Sequence, residues 1–259
     1  MNDNNPFDGL AARYQANRPD YPESLLAALS ARAPDSPLTA ADIGAGTGIS
    51  TRALQRGLGA AWTVTGIEPG SDMRRQAIES TPEEDGIAYL DGSAESLPFS
   101  DGSLGIVNVG QAIQFFDRPV FFEEVRRVLA PGGLLSIIQN NRVWQQSPLL
   151  DAHESLIETN DPTYSRNYRD IDLQHELDAL EWSAEVERID ESWERIIDAD
   201  RFVGMMLSRS TMKPTVAKRG EAAVEESLRS MATEFGNADR TVTIPYVTEL
   251  FLATKMPSA

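Results

Sequence analysis

The chain has no cysteine, so disulfides, thiolate nucleophiles and cysteine-ligated zinc or iron–sulfur centres are excluded. Its only histidines are His153 and His175, too few for a histidine-rich metal site, and no metal is expected. Basic residues are scarce: 23 Lys and Arg stand against 40 Asp and Glu, a formal charge of -17. No cluster of several Lys or Arg occurs. Such a field repels a phosphate backbone and an acidic leaflet, which argues against nucleic acid and membrane as partners. No apolar run reaches the length of a bilayer span. The opening Met1-Asn2-Asp3-Asn4-Asn5 has neither the basic start nor the apolar core of a signal peptide. The expectation is a cytoplasmic protein.

What is present is an alternation. With 259 residues and 41% hydrophobic content, the chain can build one α/β domain with an insertion or a small lid. Strands are expected near Thr39–Gly44, Thr63–Glu68, Ala88–Asp91, Leu104–Val109 and Leu134–Gln139. Helices are expected near Glu23–Ala31, Ile49–Arg56, Asp72–Glu79 and Phe121–Leu129, the last ended sharply by Pro131-Gly132-Gly133. Strands alternating with helices predict a parallel sheet wound on both sides. Beyond Asn140 the pattern changes. Helical stretches run from Ser147 to Leu180, a polar–apolar alternation from Glu185 to Ile197 reads as a strand, and Phe202–Leu207 reads as an apolar helix. Val216–Phe235 reads as one amphipathic helix and Val242–Thr254 as a last strand, with Pro245 suited to a strand start.

The first strand ends in Gly44-Ala45-Gly46-Thr47-Gly48 and opens a helix. Glycines let backbone approach a ligand closely, because no Cβ stands in the way. Glu68 follows Gly48 by twenty residues at the end of the next apolar run, where an acid can accept both hydroxyls of a ribose. The set describes a site for an adenine nucleoside. A dinucleotide fold spaces its glycines Gly-x-Gly-x-x-Gly, and here the third glycine comes one residue early. Asp42 puts a carboxylate at the strand end, which would repel a pyrophosphate and attract an ammonium or sulfonium. Burial of that charge requires hydrogen bonds.

These residues resemble a known family. Asp42-Ile43-Gly44-Ala45-Gly46-Thr47-Gly48 is similar to the first motif of class I S-adenosylmethionine-dependent methyltransferases. The resemblance continues in order through Gly66-Ile67-Glu68-Pro69-Gly70, Asp91-Gly92-Ser93-Ala94-Glu95, Asp101-Gly102-Ser103-Leu104 and Leu129-Ala130-Pro131-Gly132-Gly133. It covers about the first 145 residues. The opening Phe7 to Pro22, with Tyr14, Arg18, Pro19, Asp20 and Tyr21, resembles the small-molecule subgroup that includes trans-aconitate methyltransferase-like proteins.

The resemblance implies a Rossmann-like seven-stranded sheet, doubly wound, with a parallel core, an antiparallel last strand and a helical lid insertion. One domain over residues 1–259 is expected, with cofactor-covering helices over 1–35 and a lid or substrate region over 141–215. S-adenosylmethionine would be bound by Tyr14, Arg18, Asp42, Gly44, Ala45, Gly46, Thr47, Gly48, Glu68, Pro69, Met73, Gly92, Ser93, Ala94, Gly110 and Gln111. Ser93 stands where the family usually has Asp, and its hydroxyl still accepts a hydrogen bond. Gln114-Phe115 stands where the subgroup commonly reads His-Trp, so an imidazole that would shuttle a proton there is missing.

The catalytic candidates are Gln114, Asn140, Tyr164, Tyr168 and His175. Asn141, Arg142 and Trp144 follow the fifth strand, where open α/β sheets hold ligands, and Arg166, Arg169 and Arg209 are further lid candidates. These arginines either bind a carboxylate-bearing substrate or balance charge in an acidic chain. Methyl transfer to a small molecule is the leading reading. The alternative is a cyclase or lyase, similar to azetidine-2-carboxylate synthases, that releases methylthioadenosine. A nicotinamide oxidoreductase is disfavoured by the glycine spacing, and a non-catalytic binding protein by the intact motif.

Overall fold

The computed structural model describes residues 9–168 and 170–257. Phe7 and Arg169 lie outside the described residues. The elements in chain order are α1 (Ala11–Asn17), α2 (Glu23–Ser30), β1 (Thr39–Ile43), α3 (Ile49–Leu58), β2 (Thr63–Ile67), α4 (Ser71–Glu79), β3 (Ala88–Leu90), β4 (Leu104–Gly110), α5 (Arg118–Val128) and β5 (Leu129–Arg142). They continue with α6 (Pro148–Asn160), α7 (Leu173–Asp178), β6 (Ser183–Asp198), α8 (Ala199–Leu207), α9 (Lys213–Arg219), α10 (Glu221–Phe235) and β7 (Thr241–Lys255).

The strands form one seven-stranded sheet in the order β3-β2-β1-β4-β5-β7-β6. β1 pairs in parallel with β2 and β4, β2 with β3, and β4 with β5. The last strands run antiparallel, completing the doubly wound, Rossmann-like architecture. The order reverses at β1 and β4, and such a switch point opens a crevice at the strands' carboxyl ends. All seven residues of β4 are buried, as a central parallel strand covered on both faces requires.

Residues cluster into two compact units. Among the described residues the first comprises 9–19, 141–168, 170–171 and 192–247; the second comprises 20–140, 172–191 and 248–257. In the second unit, Leu25, Leu26 and Leu29 of α2 and Ala53 and Leu54 of α3 join Ala40, Val64, Ile106, Leu134 and Ile138 of the sheet in one apolar cluster. In the first unit, Leu149 and Ile157 of α6, Phe202 and Met206 of α8, and Val224 and Leu228 of α10 form another with Val242 and Ile244. Asp198 caps α8, accepting the Arg201 N–H at 2.7 Å, a contribution of about 1 kcal/mol.

Three local expectations are corrected. The single helix expected over Val216–Phe235 is two, α9 and α10, because Gly220 sits at φ 83°, ψ 144° and breaks the ladder. Pro245 lies inside β7 rather than at its start, and its carbonyl accepts the Val143 N–H at 3.0 Å. The Pro131-Gly132-Gly133 turn is absorbed into β5 as an irregularity: the register with β4 jumps from Leu104↔Leu129 to Ile106↔Leu134.

Candidate functional site

In the second unit, β1 delivers the glycine loop to the start of α3. Gly44, Gly46 and Gly48 all have positive φ, at 69°, 56° and 82°. The three are not equivalent. A Cβ on Gly44 would meet the Ala112 Cβ at 2.6 Å, and one on Gly48 would meet the Tyr89 hydroxyl at 2.3 Å. Among the described residues, a Cβ on Gly46 would meet nothing within 4 Å, so the loop leaves open space there. The Gly44 and Ala45 N–H groups are held by the Ile67 carbonyl at 2.9 and 3.0 Å, which clamps the loop to the end of β2. The Thr47 hydroxyl is buried and has no hydrogen-bond partner among the described residues.

Glu68 stands at the end of β2 and is 7% exposed. Its Oε2 accepts the Gly46 N–H at 2.9 Å and its Oε1 the Gly70 N–H at 2.8 Å. Burial raises its pKa, and the two amides oppose that rise. A carboxylate has about four acceptor sites, so this one retains capacity for two further donors.

Asp42 is fully buried. Oδ2 accepts the Ser50 and Thr51 hydroxyls at 2.6 and 2.7 Å, and Oδ1 accepts the Asn108 amide at 2.7 Å. Burial pushes its pKa up against these three bonds. Asp42 thus ties β1 to the first turn of α3 and to β4, organising the loop from behind.

The other second-unit candidates fall as follows. Met73 and Ala94 are buried, Pro69 is exposed, and Gly92 and Ser93 are partly covered. A Cβ on Gly110 would strike Ser50 at 2.3 Å and the Tyr21 hydroxyl at 2.8 Å. Gln111 follows with φ 62°, a conformation uncommon outside glycine and a mark of constrained sites. The Gln114 Nε2 donates to the Gln111 carbonyl at 2.9 Å, while its Oε1 is buried without a partner among the described residues. Asn140 donates to the Asp20 carbonyl at 3.2 Å and accepts the Thr248 hydroxyl at 2.6 Å. His175 is exposed on α7, its backbone N–H capped by Asp172 at 3.0 Å.

The first unit holds the remaining candidates. The Arg18 guanidinium lies 4.5 Å from the Tyr14 ring centroid. Tyr164 donates to the Glu154 Oε2 and accepts from the Arg209 Nη2 at 2.9 Å, and its ring is 5.8 Å from that of Tyr168. Arg209 also donates to the Glu154 Oε1 at 2.7 Å and meets the His153 Nδ1 at 3.1 Å. Burial raises the Tyr164 pKa, so its phenol is a poor base. His153, Glu154 and the Arg209 hub were not foreseen as a cluster. Their partners lie 45 to 56 residues apart in sequence, and no local spacing announces them. Among the described residues no helix is long and apolar enough to cross a membrane, and no group of His, Asp and Glu is placed to hold a metal ion.

Comparison with known proteins agrees with this geometry. Residues 41–137 match the family model described as a methyltransferase domain. An uncharacterized methyltransferase of Mycobacterium tuberculosis is 28% identical over 250 residues, covering 96% of this chain and 95% of that one. A structure described as a type II methyltransferase of Anaeromyxobacter dehalogenans superposes with a TM-score of 0.62 at 22% identity, over 93% of this chain and 99% of that one. Phosphoethanolamine N-methyltransferase 2 of Haemonchus contortus, solved with S-adenosyl-L-methionine, gives a TM-score of 0.56 at 18% identity, over 95% of this chain and 56% of that one. None of these supports the cyclase or lyase alternative.

Proposed function

We propose that this chain is a class I S-adenosylmethionine-dependent methyltransferase and that it methylates a small-molecule acceptor. The observation that carries the cofactor assignment to particular residues is the pairing of Glu68 with the Gly46 amide beside the open face of Gly46. The donor set fits the cofactor. Glu68 retains acceptor capacity for the ribose hydroxyls, Gly46 presents backbone with no side chain in the way, and Thr47 brings an unsatisfied buried hydroxyl. Gly44, Ala45 and Gly48 shape the loop, and Asp42 holds it from behind. Met73, Pro69, Gly92, Ser93, Ala94, Gly110 and Gln111 complete the proposed cofactor set of the second unit.

When bound, the cofactor supplies a methyl group already activated by its sulfonium. The work left to the protein is orientation, which can contribute roughly 7–11 kcal/mol. Glu68 and the loop amides fix the cofactor; they move no proton. A general base is needed only if the attacking atom carries a proton. Gln114 holds none to exchange, and Tyr164 keeps its proton tightly. An acceptor that is already ionised at the attacking atom suits this chemistry. The small-molecule reading draws further support from the opening Phe7 to Pro22, which resembles the trans-aconitate methyltransferase-like subgroup.

The test is calorimetry with S-adenosylhomocysteine, followed by transfer of labelled methyl from S-adenosylmethionine to a panel of small carboxylic acids and amines. One-to-one binding that weakens in Glu68→Ala supports the reading. Absence of binding to the wild-type chain overturns it.

A further inference from the structure

Within the second unit the glycine loop is held from two sides. On one side Glu68 accepts the Gly46 N–H at 2.9 Å. On the other, the Arg52 Nη1 of α3 donates to the Thr47 carbonyl at 3.0 Å. The same nitrogen donates to the Thr81 hydroxyl at 3.1 Å, two residues beyond the end of α4. A guanidinium Nη carries two hydrogens, and both are committed here.

The Thr81 hydroxyl is the junction. It donates its proton to the Ala77 carbonyl at 2.7 Å, a group that can only accept. Its 2.9 Å contact with the Tyr89 hydroxyl therefore runs from the phenol to Thr81. Burial raises the Tyr89 pKa, so the phenol keeps a proton to give. A path of hydrogen bonds thus joins Tyr89 on β3, through Thr81 and Arg52, to the Thr47 carbonyl.

Two glycines are shaped to this path. Gly66 of β2 stands directly opposite Tyr89 in the sheet register. A Cβ there would meet the Tyr89 Cδ1 at 2.5 Å and Cε1 at 2.7 Å, so the ring lies across Gly66. Gly66 has no positive φ, and it is the ring that excludes a side chain from it. The far end of the ring reaches Gly48, where a Cβ would meet the Tyr89 hydroxyl at 2.3 Å and the Arg52 Nη1 at 2.6 Å. Gly48 is the N-cap of α3, and its N–H donates to the Ala45 carbonyl at 2.9 Å. Tyr89 therefore meets the loop directly at Gly48 and, through two partners, at Thr47.

We propose that Tyr89 is a positioning residue of the cofactor site: its hydroxyl, acting through Thr81 and Arg52, holds the Thr47 carbonyl and sets the glycine loop in the form that receives S-adenosylmethionine. The loop needs such a tether because glycine takes either sign of φ about equally readily. A loop already held in its binding form loses less freedom when the ligand arrives, and affinity gains by that amount. The inference rests on the methyl-transfer reading above.

The test is isothermal titration of the full chain with S-adenosylhomocysteine, with melting temperatures recorded without ligand. Tyr89→Phe keeps the ring over Gly66 and removes only the hydroxyl; Thr81→Val keeps the shape and removes the junction. Each is expected to weaken binding about fivefold, the size of one net hydrogen bond. Thr81→Ser, which restores the hydroxyl, restores the affinity. Thr39→Val loses a hydroxyl bond to the Ser103 carbonyl, 2.7 Å long and elsewhere in the same unit. It is expected to lower the melting temperature as much as Tyr89→Phe does and to leave binding unchanged. Tyr89→Phe combined with Arg52→Gln should lose no more affinity than Arg52→Gln alone, because the two act in series. Wild-type affinity in Tyr89→Phe, an equal loss in Thr39→Val, or additive losses in the double variant overturns the proposal. The two readings fail separately: a wild-type chain that does not bind S-adenosylhomocysteine fails the methyl-transfer reading, whereas equal binding by wild type and Tyr89→Phe fails only the positioning role.

Discussion

Glu68 reaches back across the glycine loop to Gly46, its Oε2 accepting the Gly46 N–H at 2.9 Å. The carboxylate proposed to hold the ribose thus also fixes the loop proposed to hold the rest of the cofactor. Glu68→Ala is expected to weaken S-adenosylhomocysteine binding by about 1.5–3 kcal/mol for each charge-assisted bond lost. Ser93→Ala removes one neutral partner and should cost less. Titration showing equal or reversed losses would exclude Glu68 as the ribose ligand.

Gly46→Val is expected to abolish cofactor binding with a modest fall in melting temperature. A Cβ at Gly46 meets no described atom within 4 Å, so the structural penalty arises chiefly from its φ of 56°, about 1–2 kcal/mol. A variant that melts normally and still binds would show that the loop's open face is not the cofactor's.

Asp42→Ala is expected to destabilise the fold rather than the ligand complex alone. It leaves the Ser50 and Thr51 hydroxyls and the Asn108 amide buried without their acceptor. Each unsatisfied group costs about 1–3 kcal/mol. Urea denaturation should show a lowered midpoint in the absence of any ligand; an unchanged midpoint would refute the structural role.

His153 makes stability depend on pH. Burial and the Arg209 charge lower its pKa to about 4 in the folded chain, against 6.5 as the ordinary value. The unfolded state therefore binds a proton that the folded state refuses between those values. The contribution is complete above pH 6.5 and is lost as pH falls toward 4, at about 1.4 kcal/mol per unit. Denaturation at pH 7, 6 and 5 should give a shallower decline in His153→Gln than in wild type. Identical slopes would mean that His153 is not held neutral.

The fate of the sulfonium separates methyl transfer from cyclisation. With an acceptor, turnover should yield S-adenosylhomocysteine, and the enzyme with cofactor alone should accumulate no methylthioadenosine above the spontaneous rate. Chromatography of the two incubations decides the matter, and enzymatic methylthioadenosine from cofactor alone would reverse the assignment.

The central sheet was legible because its signals are local. Each of β1, β2 and β4 is an apolar run closed by a glycine or an acid, and the strands expected there lie within a residue of those observed. The end of the chain was read less well. Gly220 breaks a helix whose apolar periodicity runs on either side of it, and amphipathic spacing alone cannot show a change of φ. Pro245 sits inside β7 because the ladder does not need its missing N–H there while its carbonyl serves Val143. At the site, Glu68 and the glycines announced themselves by spacing. The Arg209 hub did not: its contacts with Glu154 and Tyr164 span 55 and 45 residues, and only tertiary packing brings them together. The positive φ of Gln111 was equally invisible, since glutamine carries no sign of it in sequence.

The three loop glycines answer to different demands. Gly44 and Gly48 are hemmed in by Ala112, Tyr89 and Arg52, so the protein's own interior forbids a side chain at either. A Cβ at Gly46 would meet no atom of the described residues within 4 Å. Variants selected only for a folded, expressed chain should therefore purge substitutions at 44 and 48 while retaining small residues at 46. Selection for catalytic turnover should purge all three. The loop carries two histories of constraint side by side, and position 46 is where selection for folding and selection for chemistry come apart.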